Sequence, residues 1–152
     1  MTIYRQNVAI VVLNLAGLIL ACQRADKYKG WQLPQGGIEL NESPLDAMFR
    51  ELKEEIGTNK VEVIGQLPHT ITYDWPSELK YRGYHGQEQY YFLVRLKEEH
   101  AVCLSTATSN EFDNFEWLGM GDFSKRIIGF KKDAYMQALE QLSRQFPDTI
   151  GP

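Results

Sequence analysis

The chain has 152 residues, of which 43% are apolar, with 16 Lys and Arg against 20 Asp and Glu. These values are typical of one folded domain spanning 1–152 and argue against disorder or an array of repeats. The net charge of −4 argues against a protein whose main task is to grip a nucleic-acid backbone, although an acidic protein can still carry a local basic pocket. The two cysteines form no C-x-x-C pair, so we expect a cytoplasmic protein without disulfide bonds, membrane span or obligate protein partner.

The first third of the sequence predicts a hairpin and a loop. Residues 7–13 and 18–23 are rich in aliphatic and β-branched side chains, and the turn-forming residues between them, 14–17, include Asn14 and Gly17. Because the first of these runs is apolar throughout, we expect a strand that is covered on both faces. Residues 29–37 contain three glycines and a proline, which predicts a loop.

The spacing then predicts a helix over residues 44–56. Ser43 can cap it, Pro44 suits its first turn, Asp46 supplies the acidic half of a capping box, and Gly57 can end it in a left-handed conformation. At 100° per residue, one side of this helix is apolar and should pack on a sheet; it consists of Leu45, Met48, Phe49, Leu52 and Ile56. Another side groups three acids, namely Glu51, Glu54 and Glu55.

The remainder of the chain predicts three strands, at 61–67, 89–96 and 115–118, and an amphipathic helix at about 131–146. The inner face of that helix contains Tyr135, Ala138, Leu139, Leu142 and Phe146. Residues 68–87 are rich in Tyr, Gly and Pro, so we interpret them as a long surface excursion rather than a core element.

The three glutamates of the first helix repel one another, so a positive group should lie among them. Carboxylate oxygens on a rigid helix suit a hard cation such as Mg²⁺, which prefers a few carboxylates together with water and substrate phosphates. Upstream, Gly36 and Gly37 allow a ligand to approach the backbone closely. Arg50 lies beside the acids and can orient one of them through a bidentate pair, so we expect it to organise the site.

The spacing of these residues resembles the signature of the Nudix hydrolases, G-x5-E-x7-R-E-U-x-E-E-x-G-U, where U is a bulky apolar residue. Gly36, Glu42 and the segment from Arg50 to Gly57 match it, whereas Thr58 stands where an aliphatic residue is usual. The resemblance implies an α/β/α sandwich with a mixed sheet between helices. It also implies hydrolysis of a nucleoside diphosphate derivative with Mg²⁺ or Mn²⁺, held by Gly36, Glu51, Glu54 and Glu55. One carboxylate would accept the proton of the attacking water, and the sequence leaves open which one.

Segments 4–8, 31–38, 72–76, 86–89, 111–112 and 130–131 also resemble two Nudix branches, the asymmetric dinucleoside tetraphosphate hydrolases and the bacterial RNA 5′-pyrophosphohydrolases. This resemblance implies that Glu111 is a further metal ligand or base and that Tyr73 and Phe130 sandwich a nucleobase. It also implies that a second set of residues contacts the substrate, most of them at its phosphates: Arg5, Arg24, Gly36, Gly37, Lys80, Gln89 and Lys131.

Between these branches, the net charge and the Tyr73-Asp74-Trp75-Pro76 segment favour a dinucleoside polyphosphate as the substrate. Diadenosine tetraphosphate would then be split asymmetrically into a nucleoside triphosphate and a monophosphate. The alternative is an enzyme that removes pyrophosphate from the 5′ ends of triphosphorylated RNA. A third hypothesis, a silent nucleotide sensor, is disfavoured because the set of acids is complete.

Overall fold

The computed structural model describes residues 3–76 and 83–152, which contain eight strands and three helices. In chain order they are β1 (Tyr4–Leu13), β2 (Ile19–Arg24), β3 (Trp31–Gln32), β4 (Gln35–Gly37), α1 (Pro44–Ile56), β5 (Val61–Gln66), β6 (Ile71–Asp74), β7 (Gly86–Leu96), β8 (Phe112–Leu118), α2 (Met120–Arg126) and α3 (Lys132–Gln145). None of the helices in these ranges is long and apolar enough to cross a membrane.

The strands form one mixed sheet in which β1 and β7 are parallel and every other pair is antiparallel. The main path runs β3-β2-β1-β7-β5, while β4 pairs with β1, β6 with β7 and β8 with β2. The β1–β7 register places Arg5 opposite Gln87 and Asn7 opposite Gln89. Residues from distant parts of the sequence therefore meet at one end of the sheet.

Strand β1 is the centre of the core. Its last seven residues are buried, because successive side chains of a strand point to opposite faces of the sheet and helices cover both faces here. One apolar cluster joins β1 to α1 and includes Val8, Ile10, Val12, Ala47, Met48, Leu52 and Ile56. The other joins β1 to α2 and α3 and includes Ala9, Val11, Leu13, Phe123, Tyr135, Ala138, Leu139 and Leu142. The predicted α/β/α sandwich with a mixed sheet is confirmed, as is a first strand covered on both faces.

Helix α1 begins and ends where the sequence predicts. The Ser43 hydroxyl accepts a hydrogen bond from the Asp46 amide at 3.1 Å, and Gly57 adopts a left-handed conformation with φ 81°. The predicted inner face needs one correction, because Leu45 is 43% exposed. It lies in the first turn, before Ala47 and Met48, which are the first residues of the helix to be buried in the core.

The predictions for the irregular segments were partly wrong. Part of the predicted surface excursion is strand β6, which pairs with β7 and buries Ile71 and Tyr73. The predicted loop 29–37 contains the short strands β3 and β4, and helix α2 was not predicted. Lys80 and its neighbours Tyr81 and Arg82 lie outside the described residues.

Candidate active site

Arg50 connects the loop before α1 to the acidic face of the helix. Its Nε and Nη2 donate to the two oxygens of Glu42 at 2.7 and 2.8 Å, and Nη2 also donates to the Gly37 carbonyl at 2.8 Å. Its Nη1 donates to Glu51 at 2.9 Å and to Glu54 at 3.2 Å. The hydrogen bonds from Arg50 lower the pKa of Glu42 to about 2. One guanidinium group therefore fixes both the loop and two of the three helical acids.

Strand β4 passes directly beside the Glu51 carboxylate. A methyl group on Gly36 would lie 2.0 Å from the Glu51 carboxyl carbon, so only glycine fits between the strand and the acid. At Gly37 a methyl group would instead meet the guanidinium of Arg5, at 2.2 Å from Nη2. Since that group is the end of a flexible side chain, it can move aside. The two glycines thus have different roles, and Gly36 is the one that lets the backbone reach the acids.

Glu55 is the most deeply buried of the helical acids, with 3% of its surface exposed. It accepts a hydrogen bond from the Gln35 amide at 3.2 Å. Burial and the neighbouring carboxylates of Glu111 and Glu51 raise the pKa of Glu55 well above its usual range. Burial also raises the pKa of Glu51, although Arg50 opposes the effect. The cluster therefore holds more negative charge than Arg50 compensates.

The acids fit a divalent cation by the chemistry of their donor atoms. Glu51, Glu54, Glu55 and Glu111 supply hard oxygen ligands, and Gly36 supplies close access to the backbone. Within residues 3–76 and 83–152, no three acidic, imidazole or thiol groups converge on one point.

A cavity of about 390 Å³ opens beside Gly36 and Glu111. Its lining includes three cations, Arg5, Arg24 and Lys131, which come from β1, β2 and the residue before α3. The Lys131 ammonium donates to the Gln32 side chain at 2.8 Å, and burial lowers the pKa of this lysine to about 8. The cavity therefore places positive side chains next to the acids, as a site for a polyphosphate requires.

A more apolar groove of about 430 Å³ adjoins the cavity and shares Arg24, Gln32 and Lys131 with it. Its other lining side chains are Tyr28, Trp31, Ile128 and Phe130. Arg126 lies 4.8 Å from the centre of the Trp31 ring and donates to Glu116 at 2.6 Å, so one face of Trp31 is already covered. Tyr28, Trp31 and Ile128 were not among the predicted site residues. The signal that could have found Tyr28 is an aromatic residue between two lysines in a polar turn.

Three predicted substrate contacts line neither the cavity nor the groove, namely Gly37, Tyr73 and Gln89. Tyr73 is 9% exposed, and its ring lies 5.9 Å from that of Phe130, so the two rings contact each other rather than enclosing a base. Gln89 is fully buried; its amide donates to Asn7 at 2.9 Å and accepts from the Tyr91 hydroxyl at 2.6 Å. Gln89 therefore supports the sheet beneath the cavity.

Comparison with known proteins agrees with this geometry. Residues 3–139 match the model of the NUDIX domain. A Helicobacter pylori protein named RNA pyrophosphohydrolase is 40% identical over 93% of this chain and 95% of that protein. A Campylobacter jejuni protein of the same name is 41% identical over 90% and 91%.

Solved structures share the fold at lower identity. The binary complex of a C. elegans Ap4A hydrolase superposes with a TM-score of 0.67 at 21% identity, covering 92% of this chain and 99% of that one. The E. coli dihydroneopterin triphosphate pyrophosphohydrolase superposes with a TM-score of 0.75, also at 21% identity, covering 95% and 99%.

Proposed function

This chain belongs to the Nudix hydrolase family, and from that premise we propose that it is an enzyme that removes pyrophosphate from the 5′ end of triphosphorylated RNA. The relatives that bear the name RNA pyrophosphohydrolase align over nearly the whole chain at 40–41% identity. The Ap4A hydrolase shares 21% identity, which supports the fold alone. The dinucleoside tetraphosphate favoured by the sequence is therefore not confirmed, and the comparisons support its alternative better.

The observation that carries the proposal is the continuity between the cationic cavity and the aromatic groove. Arg24 and Lys131 line both, so a ligand can place its phosphates beside the acids and its bases against Trp31 and Phe130. Base stacking on aromatic rings tolerates any base, which suits an enzyme that acts on many RNA ends. The overall charge of −4 does not oppose this, because two cations, Arg24 and Lys131, line both spaces.

When bound, a divalent cation would neutralise phosphate charge and acidify the attacking water. Glu51, Glu54, Glu55 and Gly36 are the groups that would hold it. Arg50 orients two of these acids, and this restricts their rotation before substrate arrives.

Glu111 is exposed and lines the cavity. By contrast, Glu51 and Glu54 accept hydrogen bonds from Arg50, and Glu55 is buried. We therefore assign proton acceptance from the water to the Glu111 carboxylate. Arg5, Arg24 and Lys131 would bind the phosphates, of which the two outermost leave as pyrophosphate.

The test is a competition assay with Mg²⁺ in which a 5′-triphosphorylated eight-nucleotide RNA and diadenosine tetraphosphate are present at equal concentration. We expect kcat/KM for the RNA to be higher by at least about tenfold. A preference for the dinucleotide would refute the proposal, and turnover of neither substrate would favour a nucleotide sensor. Glu55→Gln should abolish turnover, whereas Glu62→Gln, a matched change of an exposed acid on β5, should not.

A further inference from the structure

The turn between β2 and β3 presents one exposed aromatic side chain to a part of the groove that lies outside the cavity. Tyr28 is 68% exposed and lines the groove together with Trp31 and Ile128. Nothing in the sandwich core requires a tyrosine there, because the ring belongs to neither apolar cluster. The ring is therefore available to a ligand.

The conformation of this turn is fixed by Asp26. Its carboxylate accepts hydrogen bonds from the Tyr28 amide at 3.1 Å and from the Arg24 guanidinium, and its carbonyl accepts from the Lys29 amide at 3.2 Å. Lys29 adopts a left-handed φ of 52° and pairs with Asp113 on β8 at 2.5 Å. These contacts hold the turn to the sheet at both ends, so the backbone that carries Tyr28 is ordered before a ligand arrives.

Charge and shape at this position favour a single-stranded nucleic acid. The Lys27 ammonium lies over one face of the Tyr28 ring at 5.2 Å from its centre, so a base would stack on the other face with a cation close by. This is the combination by which proteins hold single strands, with bases on aromatic rings and cations near the phosphates. Arg24, Gln32 and Lys131 line both the groove and the cationic cavity, whereas Tyr28 lines the groove alone, so a strand with its phosphates in the cavity would extend along the groove towards Tyr28.

We propose that Tyr28 and Lys27 form a binding subsite for an RNA nucleotide beyond those that the Trp31–Phe130 part of the groove holds. The proposal rests on the proposed function and extends it, since it makes substrate length a determinant of activity. A triphosphorylated dinucleotide ends before the subsite, whereas an eight-nucleotide strand passes over it. The enzyme should therefore prefer the longer RNA.

The experiment compares kcat/KM for 5′-triphosphorylated RNAs of two and eight unpaired nucleotides in the wild type, Tyr28→Ala, Tyr28→Phe and Leu15→Ala. Leu15 is a matched control, because it is 61% exposed on the β1–β2 turn and lines neither the cavity nor the groove. We expect the wild type, Tyr28→Phe and Leu15→Ala to prefer the longer RNA by about tenfold, and Tyr28→Ala to lose most of that preference. Lys27→Gln should weaken the same preference and its dependence on salt.

The outcomes separate the two proposals. If the wild type hydrolyses both RNAs but Tyr28→Ala retains the full length preference, the subsite is refuted while the proposed function stands. If the wild type hydrolyses neither RNA, both are refuted. Equal activity of the wild type on the two lengths would also refute the subsite.

Discussion

Replacing Glu42 with glutamine tests whether the ion pair with Arg50 holds the loop against α1. The carboxylate accepts two hydrogen bonds from Arg50, at 2.7 and 2.8 Å, and one from the Glu39 amide at 3.0 Å, and its side chain is only 15% exposed. Its pKa falls from 4.5 to about 2, a difference that corresponds to about 3 kcal/mol of stability at neutral pH. Glutamine keeps one acceptor oxygen but loses the charge, so we expect a loss of about 2–3 kcal/mol.

The sign of the pH dependence follows from the direction of this shift. A carboxyl whose pKa is lower in the folded state adds its full stabilisation above the unfolded value near 4.5, and the stabilisation is lost as the pH falls towards 2. The difference in unfolding free energy between the wild type and Glu42→Gln should therefore be constant from pH 6 to 8. It should shrink markedly by pH 3.5.

The assay is urea unfolding followed by tryptophan fluorescence at several pH values. Glu39→Gln is the matched control, because that acid is 68% exposed and lies 3.7 Å from Arg50, so its loss should cost less than about 0.5 kcal/mol. Equal costs for the two variants would refute the reasoning, as would a Glu42→Gln difference that persists unchanged at pH 3.5. Because Arg50 also holds Glu51 and Glu54, kcat should fall more than KM rises.

Two further predictions follow from other sites. Gly36→Ala should lower kcat by about 100-fold, because the added methyl group must displace Glu51. Gly37→Ala should change kcat far less, because its methyl group meets only the flexible side chain of Arg5. Steady-state kinetics at saturating Mg²⁺ will compare the two variants. Cys103 should react with iodoacetamide at a rate that rises through about pH 7, since hydrogen bonds from its neighbours lower the pKa of its thiol to about 7. The buried Cys22 should stay unmodified in the folded protein. Mass spectrometry of labelled peptides will distinguish the two cysteines, and labelling that favours Cys22 would contradict the structure.

Helix α1 was predictable because its signals are local. Ser43 and Gly57 determine its ends through contacts within a few residues, and the interval between Gly36 and the acids is set by the chain itself. The acids share one face of any helix with that spacing. The sequence therefore predicted the acidic half of the site without any knowledge of the sheet.

Strand β6 was not predictable in the same way. Its alternation of buried and exposed residues covers only four positions, from Ile71 to Asp74, and the flanking prolines and glycines favoured a loop. What makes it a strand is pairing with β7, which follows after the segment outside the described residues. The resemblance to the two Nudix branches implied that Tyr73 contacts the substrate, whereas the structure leaves only 9% of this residue exposed. Burial of a strand residue depends on what packs over the strand, and the sequence pattern of the strand carries no information about that packing.

Net charge is a weak guide to the choice between a dinucleoside polyphosphate and an RNA 5′ end. Net charge sums over the whole surface, but a phosphate chain responds to the potential within about a Debye length of about 8 Å. Arg5 and Lys131 come from opposite ends of the sequence, and the fold places them around one cavity with Arg24. Of the two acids that line this cavity, Glu111 belongs to the set suited to a divalent cation, and Asp26 pairs with Arg24. An acidic chain can therefore present cations to a phosphate chain, and its net charge does not exclude RNA.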